Sequence, residues 1–302
     1  MKLTGLGASM VMLGWAICYP MITLSAHYAP IMLTATLRAL FAGVLLIVVA
    51  VLFKRPVPKT LRDFVYILAI GLTATSLGFW GMFYAGTLVA PGLATVISNS
   101  QPLIAAVLGW YVLNERMSKS AVAGAIFGFS GIVVISVDTL LGTSHSLLGI
   151  AYILMAALGV AISNILLKLV ATKIDVLYAM GFQLVLGSIP LGLMTLIQNQ
   201  QSAQWSGEFL WILLILTLPG TALPLILWFW LMDKAPLYKL NVFSFLTPIF
   251  GLAIGYTYFS ESFSLNQWVG IGLIMASIML VTAPTNRSRG TKYKKTNQSI
   301  QP

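Results

Sequence analysis

Charge is scarce in this chain. Of its 302 residues only 8% are Asp, Glu, Lys or Arg while 59% are hydrophobic, where soluble domains carry about 25% charged residues. Water cannot solvate so apolar a surface, so lipid is its solvent. Acid is scarcer than base, with 7 Asp+Glu against 17 Lys+Arg. The single cysteine, Cys18, cannot close an intrachain disulfide, and four-ligand zinc sites built on thiolates are excluded with it. There is no Walker-type phosphate loop, no G-x-S-x-G elbow and no H-E-x-x-H metal pair. None of the acidic residues falls in the middle of an apolar run, and His27 and His145 lie at or beyond run ends. A proton relay of buried carboxylates or imidazoles therefore has no obvious carrier. These absences describe a non-enzyme with no cofactor and no metal site.

What the chain does have is long apolar runs. A bilayer core about 30 Å thick needs about 20 apolar residues of helix. Ten such runs are legible, at about 4–25, 31–53, 64–85, 92–113, 120–137, 147–167, 177–197, 209–231, 237–259 and 265–283. The first is too long for a signal peptide's apolar region and is read as a retained helix. The fold class expected is an all-α integral membrane protein of ten transmembrane helices. The basic residues orient it. With the N-terminus inside, every Lys and Arg except Arg38 falls on an inner segment, and the outer linkers hold none. Insertion keeps such cations on the cytoplasmic side, so both termini are expected in the cytoplasm. An odd number of spans would export the basic tail, which favours ten. The location expected is the cell membrane, the inner one in a Gram-negative source. Nucleic acid, the partner that a formal charge of +10 would suggest in a soluble protein, is not needed to account for the excess.

The chain also resembles itself at an offset of about 146 residues. Val96 to Gly124 maps without a gap onto Val242 to Gly270, with identities at Val96/Val242, Ser98/Ser244, Pro102/Pro248, Gly109/Gly255, Glu115/Glu261, Ser118/Ser264 and Gly124/Gly270. Thr75/Thr221 and Phe83/Phe229 agree upstream, and Arg38 corresponds to Gln183. Two units follow, 4–137 and 147–283, with a basic cytoplasmic tail at 284–302. Five spans in each make the second enter the membrane from the opposite side, the inverted duplication of many transporters.

The five-plus-five pattern, the Leu37-Arg38-Ala39 arginine and the paired Pro…Gly…Glu segments together resemble the drug/metabolite transporter superfamily, in its EamA type with two EamA domains. The resemblance covers about residues 4–283. It implies two inverted five-helix repeats around a central cavity, and export or exchange of small metabolites such as amino acids. An importer or exchanger of phosphorylated or nucleotide-sugar solutes is the alternative within transport, although such a site needs several cavity cations and only Arg38 is available, Lys239 lying at the inner end of its run. A non-transport membrane protein is the alternative outside it. The partners expected are a small-molecule solute and membrane lipids, with the chain a monomer or weak homodimer.

Several residues are candidates for the solute site. Arg38 lies inside the second run, where a guanidinium is costly unless paired, hydrated or snorkelling. It is read either as an anion-attracting group or as a structural arginine bonding helix-end carbonyls. Ser98, Asn99 and Gln101 precede or flank the point where Pro102 removes a backbone donor, and Asn164 lies in the sixth run. These polar groups either open a binding site at a broken helix or bond between helices beside a kink. Trp15 and Tyr19, like Trp80 and Tyr84, are four apart and share a helix face. Of these, Trp15, Tyr19 and Tyr84 are candidate cavity walls, with an interfacial aromatic belt as the other reading. Ala105-xxx-Gly109 and Gly251-xxx-Gly255 are spaced for close helix packing, so the fourth and ninth runs are expected to meet each other or a partner chain.

Overall fold

The computed structural model describes residues 2–113, 119–140, 147–170, 174–198, 203–234 and 242–282. Among them every regular element is helical. Glu115, Asn241, His145, the Ala235-Pro236 linker and the basic tail at 284–302 lie outside the described residues.

The first run is α1 (Lys2–Ala16) continued by α2 (Cys18–Ser25). Pro20 cannot donate to Ala16, which loosens the helix at Ile17 without ending it, since Ile17 N–H still bonds Leu13 O at 3.1 Å. Next comes α3 (Ile31–Leu52), which starts after Pro30. Its exposed Phe41, Val44, Val48 and Val51 form a lipid-facing stripe, while Arg38, Ala39, Ala42, Leu46 and Ala50 turn inward. A capping box between Thr60 and Asp63 opens α4 (Leu61–Ile70). It passes through a π-helical segment, Gly71–Leu77, into α5 (Gly78–Leu88). The fourth run is broken. Its first piece, α6 (Pro91–Ser98), ends at Asn99-Ser100, and α7 (Gln101–Leu113) resumes at Gln101. Pro102 has no amide to offer Ser98, and 3₁₀-type bonds close the gap, Asn99 N–H to Val96 O at 3.2 Å and Ser100 N–H to Ile97 O at 3.0 Å.

The second half repeats these devices. After α8 (Lys119–Leu140) closes the first half, the second opens with α9 (Leu147–Val170) and α10 (Val176–Ile197), the last N-capped by Asp175. Then α11 (Gly207–Thr217) passes through a second π-helical segment, Leu218–Ala222, into α12 (Leu223–Lys234). That segment matches the first at the repeat offset. A 3₁₀ turn, Val242–Phe245, precedes α13 (Leu246–Phe259), and α14 (Leu265–Thr282) follows.

Seven helical segments are long and apolar enough to cross a bilayer: Thr4–Ser25, Ile31–Leu52, Leu61–Leu88, Pro91–Val112, Leu147–Leu167, Val176–Ile197 and Gly207–Trp228. Three expected runs are shorter among the described residues, as the apolar helices Val122–Val134, Leu246–Phe259 and Leu265–Leu280. The ninth run loses length because its opening residues lie in the 3₁₀ turn or outside the described residues.

Packing is reciprocal between the halves. α3 lies along α10, α8 along α14, and α6 against α13. α1 packs on α12 and α13, and α9 packs in the same way on α5 and α7. Close approach is purchased with glycine at matching places. A Cβ on Gly14 would strike the carbonyl of Pro219 in the second π segment, and a Cβ on Gly159 would strike that of Thr73 in the first. The small-residue stripe of the ninth run does face the fourth, with Gly251 against Thr95.

One acidic residue ties the halves at a helix end. Ser260, at φ 52°, turns the chain sharply after α13 and sends the Glu261 side chain back against α6. There Gly92 N–H donates to Glu261 Oε1 at 2.8 Å, at the positive end of α6. Burial pushes the Glu261 carboxyl above its ordinary range, against the lowering effect of the Gly92 and Leu93 amides.

Candidate functional site

A cavity of about 240 Å³ lies where the two halves meet. Its wall from the first run is Trp15, Cys18 and Tyr19, one helical stripe. α3 supplies Arg38, and α5 supplies Phe79 and Met82. The broken fourth run adds Thr95, Ser98, Asn99 and Gln101. From the second half come Ala156, Ala157 and Val160 on α9 and Thr247 on α13.

Arg38 is 4% exposed. Its Nε–H donates to Thr221 Oγ1 at 2.9 Å, and Nη2 reaches Cys18 Sγ at 3.2 Å and Gly220 O at 3.5 Å. The second π segment prepares this cradle. Pro224 has no amide to give Gly220 O, and the Thr221 hydroxyl spends its proton on Leu216 O at 2.8 Å, leaving a lone pair for Arg38. The guanidinium also faces the rings of Phe79 and Phe83, with centroids at 4.6 and 5.9 Å. Toward Met82 its Nη1 finds only a thioether sulfur at 3.9 Å. Among the described residues no carboxylate pairs with it, and the ion pair found there, Arg55 with Asp175 at 3.9 Å, is elsewhere. No His, Cys, Asp or Glu cluster able to hold a metal occurs among the described residues.

The repeat counterpart of this brace is neutral. Thr75 Oγ1–H donates to Gln183 Oε1 at 2.7 Å. Each contact joins a residue of the second or seventh run to a threonine in the other half's π segment. In both, a polar side chain grips a place where the helix has shifted its hydrogen bonds, a feature common at functional sites.

The broken fourth run satisfies itself in part. Ser98 Oγ and Asn99 Nδ2 donate to Thr95 O at 3.0 and 2.8 Å, and Thr95 Oγ1 donates to Pro91 O at 2.8 Å. The structure thus brings together six of the eight residues expected from sequence: Trp15, Tyr19, Arg38, Ser98, Asn99 and Gln101. The other two lie elsewhere. Tyr84 stacks on Tyr152 at 5.3 Å and accepts from Gln198 Nε2 at 2.6 Å, while Asn164 is exposed on α9. Thr247, the repeat counterpart of Gln101 and legible as part of the ninth run's mirror of the broken segment, also lines the cavity. Sequence reasoning passed over Cys18, Phe79, Met82 and Thr95, of which Cys18 and Thr95 were within reach, since each lies one turn from a chosen residue.

The class of molecule defined here is an all-helical membrane protein with a cavity between two similar halves and an uncompensated cation in its wall. The EamA-like transporter family model matches the chain twice, over residues 3–137 and 147–283, and the chain belongs to that family. It is 30% identical to an uncharacterized transporter of Synechocystis sp. over 266 residues, covering 82% of this chain and 80% of that protein. It is also 28% identical to the uncharacterized transporter YvbV of Bacillus subtilis, covering 95% and 93%. A protein known by its crystal structure shares the fold with a TM-score of 0.67 at 17% identity, over 93% of this chain and 97% of that one.

Proposed function

We propose that the chain is a secondary transporter that exports small organic metabolites, amino acids or related compounds, by alternating access. The observation that carries this reading is a solute-sized cavity lined by both halves, with the Arg38 guanidinium in its wall. Its volume of 240 Å³ is that of roughly eight waters of liquid. The seven long helices and three shorter apolar ones serve as ten crossings, five in each half, with both termini cytoplasmic in the cell membrane. The reciprocal contacts, α1 on α12 matched by α9 on α5, support two repeats of inverted topology rocking about a shared site. The chain works as a carrier, without catalysis. Trp15, Tyr19, Arg38, Ser98, Asn99 and Gln101 line the solute path, and the two π segments serve as its hinges.

A phosphorylated or nucleotide-sugar solute is disfavoured by two observations. Arg38 is the one cation among the described lining residues, and the volume is small for a nucleotide. The test is flux through the purified chain in proteoliposomes, against a panel of amino acids and their metabolites with and without a pH gradient. Solute movement that Asn99→Ala lowers without impairing insertion supports the reading. No flux of any panel member, in either direction, contradicts it.

A further inference from the structure

The geometry points to a small organic monocarboxylate as the solute class of this cavity, its carboxylate neutralising Arg38 and its apolar body lying against the aromatic and aliphatic walls. This deepens the transport reading and rests on it for the solute's passage.

The argument begins with unspent charge. Arg38 is buried, and a buried cation is costly unless an opposite charge accompanies it. Its Nε and Nη2 are held by neutral acceptors, Thr221 Oγ1, Gly220 O and Cys18 Sγ. Those contacts and the Phe79 ring at 4.6 Å fix the guanidinium plane and partly solvate it, but they supply no opposite charge. Nη1 has only the Met82 sulfur, a weak acceptor, at 3.9 Å. A carboxylate is the ligand chemistry that such a group binds best, by charge-assisted hydrogen bonds. The rest of the wall sets the body. Trp15 and Phe79 offer rings, and Ala156, Ala157 and Val160 offer an aliphatic surface. No Asp or Glu is among the described lining residues, so a solute ammonium would meet Arg38 with no counter-charge of its own. A phosphate dianion calls for more than one cation. The fit is therefore to net charge −1, with zwitterions next and organic cations rejected.

Three solutes with one ring and different charge separate these cases: 3-phenylpropionate, phenylalanine and phenethylamine. Cys18 serves as a native reporter, being the chain's single cysteine, part of the cavity wall and beside Arg38. We expect 3-phenylpropionate to protect Cys18 of the full chain from N-ethylmaleimide at concentrations at least about tenfold below those needed for phenylalanine. Phenethylamine is expected to give no protection. Thermal shifts of the detergent-purified chain by the same three solutes are expected to rank in the same order, without any thiol reaction. Arg38→Gln should level the ranking, and Arg38→Lys, which keeps charge but not the fork, should retain it. Equal effects of the three solutes, or no effect of any, overturn the assignment. So does an Arg38→Lys chain that is folded yet levels the ranking as Arg38→Gln does, because the arginine is then only a brace. Flux in proteoliposomes keeps the two readings apart. Charge-ranked binding without transport removes the transporter reading and leaves the anion site, whereas transport without charge ranking does the reverse.

Discussion

The two cross-braces of this molecule occupy equivalent places and differ in one property. Arg38 grips Thr221 in the second π segment, and Gln183 grips Thr75 in the first. Both are buried, at 4% exposure each. The neutral brace has no charge to compensate, and its Gln183 Oε1 accepts from Thr75. The charged brace does have one, and neutral acceptors fill the donors of a guanidinium without cancelling it. Packing needs account for a polar residue at both places, but they do not account for a cation at one. The difference points to a solute-facing role for Arg38 and a purely structural one for Gln183.

The largest expected break in this comparison comes from deleting each gripping residue. Arg38→Ala is predicted to reduce solute flux by about a hundredfold or more, because a site built around a charged donor is left without it. Gln183→Ala should cost flux only about threefold, through lost bracing. Parallel proteoliposome assays at matched reconstitution check both, with membrane insertion followed by blotting.

A second test asks whether the halves pack alike where function does not intervene. Gly14→Ala and Gly159→Ala each put a Cβ against a backbone carbonyl of the opposite π segment. Each is expected to destabilise the chain by about 2 kcal/mol, measured as loss of thermal stability in detergent. Similar losses sharpen the repeat symmetry, and a large loss in one half only would break it. The threonines give a smaller effect. Thr221→Val removes a hydrogen bond to a charged group, worth about 1.5–3 kcal/mol, and Thr75→Val one between neutral groups, about 0.5–1.5 kcal/mol. The same thermal assay should rank them in that order.

The smallest effect expected is on pH. The folded-state carboxyl of Glu261 titrates above its ordinary value because it is buried. In the window between the ordinary and raised values the folded chain holds the proton more tightly than the unfolded one. The associated stability is present below that window and is lost as pH rises through it. Glu261→Gln should flatten this slope in thermal melts taken across the mildly acidic range.

How much was readable beforehand follows from the physics of each feature. Apolar runs announce themselves by composition, so the long helices were legible to within a few residues. Pro102 marked the broken fourth run, because a missing amide is a local fact. The π segments were not legible. Pro219 and Pro224 lie in or beside one of them, but the other has no proline, and its glycine meets a neighbouring helix only in the packed fold, Gly71 at Gln183 O. Spacing put Trp80 and Tyr84 on one face but could not say which, and that face meets Tyr152 on α9. Phe79 and Met82 went unnoticed because an apolar residue turned toward a cavity has the same sequence signature as one turned toward lipid. Arg38 was legible as an exception, and its neutral cradle, built from residues 182 and 183 positions away, was not.

The measurement that tests the central claim most directly is solute flux through wild-type and Arg38→Ala chains, reconstituted at equal density and shown to be inserted. Flux in the wild type that falls to background in the variant is the predicted result. Equal flux in the two would contradict the account, because the solute would then be crossing without reference to the charge that distinguishes the halves.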